Sequence, residues 1–377
     1  MVIGVNTRLL LPDKLEGIGW FTYETLKRIT QSHKEHQFVF FFDRPYSPKI
    51  IFSDNVTAVV AGPPTRHPVL WYYWFERVIP KLLKKYNIDL FLSPDGYLSL
   101  STDVKSLVVM HDINFIHRPK DLPFVIRHYY NFFFKKFAHK ATRMATVSEY
   151  SRSDISKSFG INTNLIDVVY NGANSVYKPL SEKDKIEVRN NYSDGNEYFV
   201  FIGALHPRKN VVRLLKAFVE FKSSSSTIGL DIKMIIVGEK MFKSEDIKKQ
   251  FSTMKYNHDV IFTGRLSAVE LSKVLASALA LTFVPLFEGF GIPVVEAFYS
   301  GTPVLTSNVT SLPEVAGDAA LLVNPFSVDE ITNAMLRLAS DEDLRQQLIE
   351  KAKVQRQKFT WDKTAEKLWQ SIEKAVE

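Results

Sequence analysis

Short apolar runs alternate with amphipathic stretches along almost the whole chain. In the first half the apolar runs cover residues 2–6, 37–42, 89–93, 107–110, 144–147 and 168–170. Runs of this length are typical of buried parallel strands, and the stretches between them have helical periodicity. The pattern predicts an α/β fold in which strands and helices alternate, and the turn at Asn171 and Gly172 closes this first half.

The same alternation restarts in the second half. The predicted strands cover residues 198–203, 233–238, 260–264, 278–287, 304–307 and 320–323. Between the halves, residues 176–197 hold Pro179, a short helix capped by Ser181 and a polar run, which is the composition of an interdomain connection. We therefore predict one domain in residues 1–176 and a second in residues 177–359.

A separate amphipathic helix is predicted for residues 360–377, with Thr360 as its N-cap. One face of this helix carries an apolar stripe formed by Trp361, Ala365, Leu368, Trp369, Ile372 and Val376. A stripe of this kind is suited to packing against a preformed surface, so we expect the helix to dock on another part of the protein.

The length and composition fit two globular domains. A chain of 377 residues is long for one ordinary core, and 45% hydrophobic with 24% charged residues is usual for globular proteins. Cysteine is absent, which excludes disulfides, thiolate nucleophiles and cysteine metal sites. The start M-V-I-G-V-N lacks signal-peptide features and no apolar run reaches about 18 residues. We therefore expect a cytoplasmic protein without a membrane span.

An excess of basic residues favours anionic partners. The 48 lysines and arginines outnumber the 41 acidic residues, which gives a net charge of +7. Nucleotide diphosphates, anionic lipid surfaces and nucleic acid all fit this charge. Two predicted helices, residues 69–86 and 124–140, combine aromatic rings with Lys81, Lys84, Lys85, Lys135, Lys136 and Lys140. Core packing and peripheral contact with an anionic membrane are both open interpretations of these helices.

The most informative segment is F-E-G-F-G-I-P-V-V-E at residues 287–296. Gly289 and Gly291 allow a sharp turn after a strand, and Pro293 suits the first turn of a helix that Gly301 ends. Such a helix start binds phosphate without a metal ion, because its outward amides lie at the positive end of the helix dipole. The predicted amide donors belong to Gly289, Phe290, Gly291 and Ile292.

Glu288 and Glu296 accompany this helix start and are separated by seven residues. Carboxylates beside a phosphate site would repel the phosphate, so we interpret both as acceptors of hydrogen bonds from sugar or ribose hydroxyls. The predicted ligand is a nucleotide sugar. Taken singly, each acid could equally be a solvated loop residue or a first-turn helix acid. A dinucleotide fingerprint is excluded, because Val294 stands where its third glycine is needed.

Arg208 and Lys209 follow a predicted strand and precede a helix for which Asn210 is the predicted cap. A guanidinium fork next to an ammonium group can hold a diphosphate without a divalent ion, and two solvated cations are the alternative. No metal site is predicted, since capping explains the acidic run at residues 341–343. The chain has no G-x-x-x-x-G-K-[ST] loop, so P-loop kinases and GTPases lose support, and we expect no cofactor.

These segments resemble the family 4 retaining glycosyltransferases over nearly the whole chain. The likeness rests on E-G-F-G-I-P-V-V-E-A at 288–297, G-T-P-V at 301–304, H-P-R-K-N at 206–210 and S-E-Y-S-R-S-D-I at 148–155. It implies the GT-B fold, in which two doubly wound Rossmann-like domains face each other across a cleft. It also implies an acceptor side in the first domain, a donor side in the second, and a last helix that crosses back to the first domain.

The resemblance also implies roles for individual residues. It gives the donor diphosphate to Arg208 and Lys209, the ribose to Glu296, and the transferred sugar to Glu288 with the backbone of residues 289–291. Ala204 and Leu205 depart from the family pattern, since many relatives have polar residues there.

Three residues of the first half complete the candidate site. His111 ends a predicted strand and can bind substrate or serve the structure, and the resemblance places it near the sugar from the other side. Gly17 and Gly19 are predicted in a loop before a helix that starts at Trp20. They match the family's glycine loop, although a plain turn explains them equally well.

The sequence therefore predicts a metal-independent retaining hexosyltransferase. The R-K-N segment is similar to that of mannosyltransferases and favours GDP-mannose as donor, with UDP-sugars as the open alternative. The aromatic helices suggest a glycan or lipid-linked glycan acceptor, as in polysaccharide or lipopolysaccharide assembly. In the favoured mechanism the bound diphosphate accepts the acceptor's proton during attack on the same face, and a Glu288 nucleophile is the alternative. A nucleotide-sugar 2-epimerase and a non-enzymatic protein that binds nucleic acid or membrane are the competing functions, although we expect no nucleic acid partner.

Overall fold

The computed structural model describes residues 1–11, 15–224, 231–239 and 245–377. These residues form two compact units. The first unit contains residues 1–172 and 360–377, and the second contains residues 173–359.

The first unit is built on a parallel sheet of seven strands in the order β3-β2-β1-β4-β5-β6-β7. The strands are β1 (Val2–Asn6), β2 (Gln37–Phe42), β3 (Val56–Val60), β4 (Leu90–Ser93), β5 (Lys105–Val109), β6 (Arg143–Thr146) and β7 (Ile166–Val168). Strand β3 was not among the predicted strands, although its sequence V-T-A-V-V is apolar at four of five positions. It lies at the edge of the sheet, and none of its residues is fully buried.

Six helices connect these strands. They are α1 (Gly17–Ser32), α2 (Pro68–Tyr73), α3 (Ile79–Lys85), α4 (Asn114–His117), α5 (Phe124–Lys140) and α6 (Glu149–Phe159), with a π-helical segment, Trp74–Val78, between α2 and α3. The predicted start of the first helix at Trp20 was wrong. Helix α1 begins at Gly17, and Gly19 lies buried in its first turn, where a Cβ atom would come within 3.3 Å of the Leu9 carbonyl oxygen.

The second unit contains a parallel sheet of six strands in the order β10-β9-β8-β11-β12-β13. The strands are β8 (Tyr198–Ile202), β9 (Lys233–Val237), β10 (Val260–Gly264), β11 (Ala280–Phe283), β12 (Val304–Ser307) and β13 (Leu321–Val323). Its helices are α7 (Glu182–Ser193), α8 (Val211–Ser224), α9 (Glu245–Thr253), α10 (Ala268–Ala276), α11 (Ile292–Ser300), α12 (Leu312–Ala316), α13 (Val328–Ser340) and α14 (Glu342–Gln355).

The last helix, α15 (Trp361–Val376), belongs to the first unit. Its apolar stripe packs against α1 and along β4, β5 and β6. Thr364 Oγ1 donates to the Tyr170 carbonyl oxygen at 2.6 Å, and Arg28 Nε donates to Asp362 Oδ1 at 2.6 Å. Gly172 permits this packing, because a Cβ atom there would lie 2.5 Å from the Trp361 backbone nitrogen.

Candidate functional site

The strand order of the second sheet changes direction between β8 and β11, which are hydrogen-bonded neighbours. In open α/β sheets, ligands bind outside the carboxyl ends of the strands at such a switch point. Arg208 and Lys209 follow β8 in a 3₁₀ turn, Pro207–Lys209, and Glu288 lies in the loop after β11. The predicted site residues of the second half therefore meet at the position where this fold binds ligands.

The loop after β8 is held in place by Asn210. This residue has a left-handed backbone with φ of 63°, and its Nδ2 group donates to the carbonyl oxygens of Val284 at 3.0 Å and Pro325 at 2.7 Å. Asn210 also directly precedes helix α8, at the predicted cap position, and its carbonyl oxygen accepts from the amides of Arg213 at 3.1 Å and Leu214 at 3.2 Å. The Leu286 amide also donates to the Arg208 carbonyl oxygen at 2.7 Å, which fixes the loops after β8 and β11 side by side.

Arg208, Lys209 and Glu288 form one ionic cluster. Arg208 Nη1 and Lys209 Nζ each lie 2.6 Å from the same carboxylate oxygen, Glu288 Oε1. Arg208 Nη1 also donates to the Phe287 carbonyl oxygen at 3.1 Å. Burial by itself would raise the pKa of Glu288, but the charges of Arg208 and Lys209 outweigh it, and the pKa lies below its ordinary value. Glu288 is therefore an ionised carboxylate that bridges two cations.

The helix start predicted at this site is present. Helix α11 covers nine residues, with Pro293 in its first turn and Gly301 in a left-handed conformation at its end. Gly291 has φ of +104°, and a Cβ atom there would lie 2.6 Å from Leu312 Cδ2, so only glycine fits. Ser311 Oγ lies within hydrogen-bond distance of two carbonyl oxygens of this loop, those of Glu288 at 2.9 Å and Phe290 at 3.1 Å. The segment from Glu288 into the helix is thus rigidly anchored.

Glu296 lies half-buried in helix α11 and has a different environment from Glu288. Burial raises its pKa to about 7, and the Tyr177 side chain offsets part of that rise through a hydrogen bond. The two acids therefore differ in charge behaviour near neutral pH. Glu288 is held ionised by two cations, whereas Glu296 titrates.

The first unit contains the other predicted site residues. His111 follows β5, its Nε2 lies 2.9 Å from the Pro94 carbonyl oxygen, and its ring packs edge-on against Phe21 at 5.0 Å between centroids. A carbonyl oxygen only accepts, so Nε2 carries the hydrogen and Nδ1 can act as an acceptor. Burial lowers the pKa of His111, although the Pro94 bond and nearby carboxylates oppose this. Gly17 and Gly19 open helix α1, so the expectation that they form a loop was wrong.

A polar cluster that the sequence analysis missed lies at the switch point of the first sheet, between β1 and β4. Arg8, two residues after β1, donates from Nε to Asp95 Oδ2 at 2.6 Å, and Asp95 follows β4. Asn6 Nδ2 donates to Asp95 Oδ1 at 2.9 Å, and the Arg8 guanidinium carbon lies 4.0 Å from the Tyr97 ring centroid. Polar residues directly after predicted strands were the available signal for this cluster.

Neither a membrane-spanning helix nor a metal-binding cluster is found among the described residues. In residues 1–11, 15–224, 231–239 and 245–377, no helix has the length and apolar character needed to cross a bilayer. Over the same ranges, no group of three or more His, Asp or Glu side chains is arranged to hold a metal ion.

Solved structures share this fold. WaaG, a glycosyltransferase involved in lipopolysaccharide biosynthesis, is 16% identical with a TM-score of 0.73, and the match covers 98% of each chain. The Anabaena HepE protein in complex with UDP and glucose is 17% identical with a TM-score of 0.76, and the match covers 99% of this chain and 100% of HepE. The chain therefore has the GT-B fold.

Family models and curated relatives agree with this class. The model for glycosyl transferases group 1 matches residues 182–355, and the model for Glycosyltransferase Family 4 matches residues 15–176. The chain is a member of the family 4 glycosyltransferases. The O-antigen chain mannosyltransferase B of Escherichia coli is 25% identical over 92% of this chain and 93% of its own length. The O-antigen chain mannosyltransferase RfbU of Salmonella typhimurium is 25% identical over 73% of this chain and 72% of its own length.

Proposed function

We propose that this glycosyltransferase transfers mannose, with retention of configuration, from a nucleotide diphosphate sugar to a glycan or lipid-linked glycan acceptor. The observation that carries the proposal is the cluster of Arg208, Lys209 and Glu288 at a sheet switch point beside the start of α11. Two cations and a helix N-terminus offer a diphosphate the charge that its departure requires. Mannose and an O-antigen acceptor are proposed from the names of the two bacterial relatives, and GDP-mannose as donor is proposed from the likeness of the R-K-N segment to mannosyltransferases.

In the proposed reaction the bond between the anomeric carbon and the diphosphate oxygen breaks. The acceptor oxygen forms its bond on the same face of the sugar, and the acceptor's proton passes to the departing diphosphate. Arg208, Lys209 and the amides at the start of α11 neutralise the diphosphate, so the chemistry needs no metal ion. Glu288 orients the sugar and stabilises the positive charge that develops on it. We propose that His111 binds substrate. This role rests on the family resemblance and on an Nδ1 atom that can accept a hydrogen bond from a hydroxyl group.

A transfer assay tests this function directly. GDP-mannose and UDP-glucose are each incubated with the protein, with and without lipid-linked oligosaccharide, in buffer containing EDTA. We expect mannose transfer from GDP-mannose in EDTA, and an α linkage by NMR of the anomeric proton. Sugar epimerisation in the absence of acceptor would indicate a 2-epimerase, and loss of activity in EDTA that Mg²⁺ restores would contradict the metal-independent mechanism.

A peripheral membrane location at the cytoplasmic face is part of the proposal. Helix α5 contributes buried rings to the core, and Trp71 of α2 is partly buried against it. The outer sides of the two helices expose Val69, Tyr72, Tyr73, Phe124, Val125 and Phe132. Lys136 Nζ lies 3.5 Å from the Phe132 ring centroid. The single acid in residues 66–86 is Glu76, which is buried and accepts from the Leu100 amide at 2.8 Å, and residues 124–140 contain no acid. Exposed rings beside lysines, on helical segments that carry no exposed acid of their own, fit an anionic lipid surface.

Vesicle sedimentation tests this location. We expect binding to phosphatidylcholine vesicles that contain about 30% phosphatidylglycerol, and little binding to phosphatidylcholine alone, because the attraction is electrostatic. Replacing Lys135 and Lys136 by glutamine should weaken binding, whereas the same change at the exposed pair Lys248 and Lys249 on α9 is the charge-matched control. Equal effects of the two pairs would show that net charge, not this surface, drives binding.

A further inference from the structure

We infer that Glu288 competes with the diphosphate for Arg208 and Lys209, and thereby acts as a specificity-determining residue that selects diphosphates and promotes release of the nucleotide product. The inference rests on the proposed function, because it assumes that the two cations bind the donor's diphosphate. It assigns to Glu288 a role in addition to orienting the sugar.

The geometry of the ionic cluster carries this inference. Both cations lie 2.6 Å from the single oxygen Glu288 Oε1, so one negative charge is shared between two positive ones. The cluster keeps a net positive charge, and a diphosphate brings more negative charge and more oxygen atoms than the carboxylate does. A diphosphate can therefore replace the carboxylate, whereas an uncharged nucleoside cannot.

The exchange requires movement of one side chain only. The Glu288 backbone is held on both sides, since its amide donates to Thr310 Oγ1 at 3.3 Å and its carbonyl oxygen accepts from Ser311 Oγ at 2.9 Å. Arg208 is anchored as well, through its Nη1 bond to the Phe287 carbonyl oxygen. A carboxylate on a flexible side chain can leave two positioned cations and return to them without rearrangement of the loop.

Exchange of this kind has a consequence for turnover. Cleavage of the bond to the sugar leaves a nucleotide diphosphate on the cations, and its release needs the loss of strong charged hydrogen bonds. Return of the Glu288 carboxylate replaces those bonds with others, so the cations are not left without a counter-charge. Glu288 thus weakens the binding of ligands with little negative charge, and it also promotes release of the nucleotide diphosphate product.

The test is calorimetric binding of GDP, UDP and inorganic pyrophosphate to the wild-type protein and to Glu288→Gln. We expect Glu288→Gln to bind pyrophosphate and the preferred nucleotide diphosphate at least about tenfold more tightly than the wild-type protein does. This is the effect expected when one competing charged contact is removed. Guanosine and uridine should bind equally to both proteins. In transfer assays the variant should be slower and more strongly inhibited by the nucleotide diphosphate.

Two controls make the outcome decisive. Glu350→Gln removes one negative charge from an exposed site on α14 and should leave diphosphate binding unchanged. Glu288→Asp retains the charge on a shorter side chain, so it should tighten diphosphate binding less than glutamine does, and it replaces Glu288→Gln if that variant does not fold. Unchanged or weaker diphosphate binding by the Glu288 variants would overturn the inference. Failure of the wild-type protein to bind any of the three diphosphates would instead reject the proposed function.

Discussion

The two sheets each place an ion pair at their switch point, and the two pairs have different surroundings. In the first unit the side chains of Arg8 and Asp95 are 5% and 2% exposed. In the second unit the side chains of Arg208, Lys209 and Glu288 are 23%, 11% and 11% exposed. The same topology therefore supports a fully buried pair in one unit and, in the other, a cluster whose acid is also buried but whose Arg208 is partly exposed.

The partners of the two acids explain this difference. Asp95 accepts from Arg8, Asn6 and Ser93, and Arg8 is covered by the Tyr97 ring, so each charge is bound from several directions. Glu288 instead holds both of its cations through one oxygen. A buried ion pair with all its hydrogen bonds satisfied is costly to break, whereas a shared carboxylate can be displaced by a stronger anion. We interpret the first pair as structural and the second as a ligand site.

Asp95→Asn should have the largest effect of the changes that test this comparison. It leaves the buried Arg8 without its counter-charge, so we expect the free energy of unfolding to fall by about 3 to 5 kcal/mol. Urea unfolding monitored by circular dichroism measures this, with Asp103→Asn as control, since the exposed pair of Asp103 and Lys140 should contribute little. A loss as small as that of the control would mean that the first pair is not structural.

Lys209→Ala should affect the reaction more than the fold. We expect a loss of about 1.5 to 3 kcal/mol in transition-state stabilisation, measured from kcat/KM, because one charged contact to the diphosphate is removed. Lys216→Ala, an exposed lysine on α8, is the matched control. Transfer at the wild-type rate by Lys209→Ala would show that Lys209 does not bind the donor. It would also contradict the interpretation that the two ion pairs have different roles.

Glu296→Gln should have the smallest effect, and that effect should depend on pH. The folded protein raises the pKa of Glu296 from 4.5 to about 7, so the folded state binds the proton more tightly than the unfolded state does. The contribution of Glu296 to the free energy of unfolding is therefore most favourable below pH 4.5, where the acid is protonated in both states. This contribution is lost as the pH rises from 4.5 through about 7. We expect the variant to be more stable than wild type by about 1 to 2 kcal/mol at pH 8, and the gain to shrink at pH 5.

Urea unfolding of both proteins at pH 5 and pH 8 measures this difference. Glu270→Gln removes an exposed carboxylate from the capping box of α10 and is the control. This control should not become more stable than wild type at pH 8. If the difference between Glu296→Gln and wild type were the same at both pH values, Glu296 would not titrate as its burial implies.

Local features of the fold could be predicted because short-range interactions set them. Ser181 caps α7 and Thr360 caps α15, as predicted, since each bond spans only three residues. The start and end of α11 followed in the same way from Pro293 and Gly301.

Features that depend on distant partners could not be predicted. The segment 278–287 was predicted as one long strand, but β11 ends at Phe283, because the following residues bond to other loops. Asn210 was expected only as a helix cap, and its side chain also binds carbonyl groups 74 and 115 residues away. Arg208 and Glu288 were both expected at the site, but their pairing across 80 residues was not. Sequence patterns contain no information on such distant partners.

The sequence by itself determined the alternation of strands and helices, the turn chemistry around α11 and the basic, cysteine-free composition. These properties follow from backbone preferences, capping and periodic burial, which act within a few residues. The tertiary structure alone decided that β8 lies beside β11 and β1 beside β4, and so which charges meet. Strand order depends on burial and pairing between segments far apart in sequence, and it brought one ion pair into the core and the other to partly exposed loops.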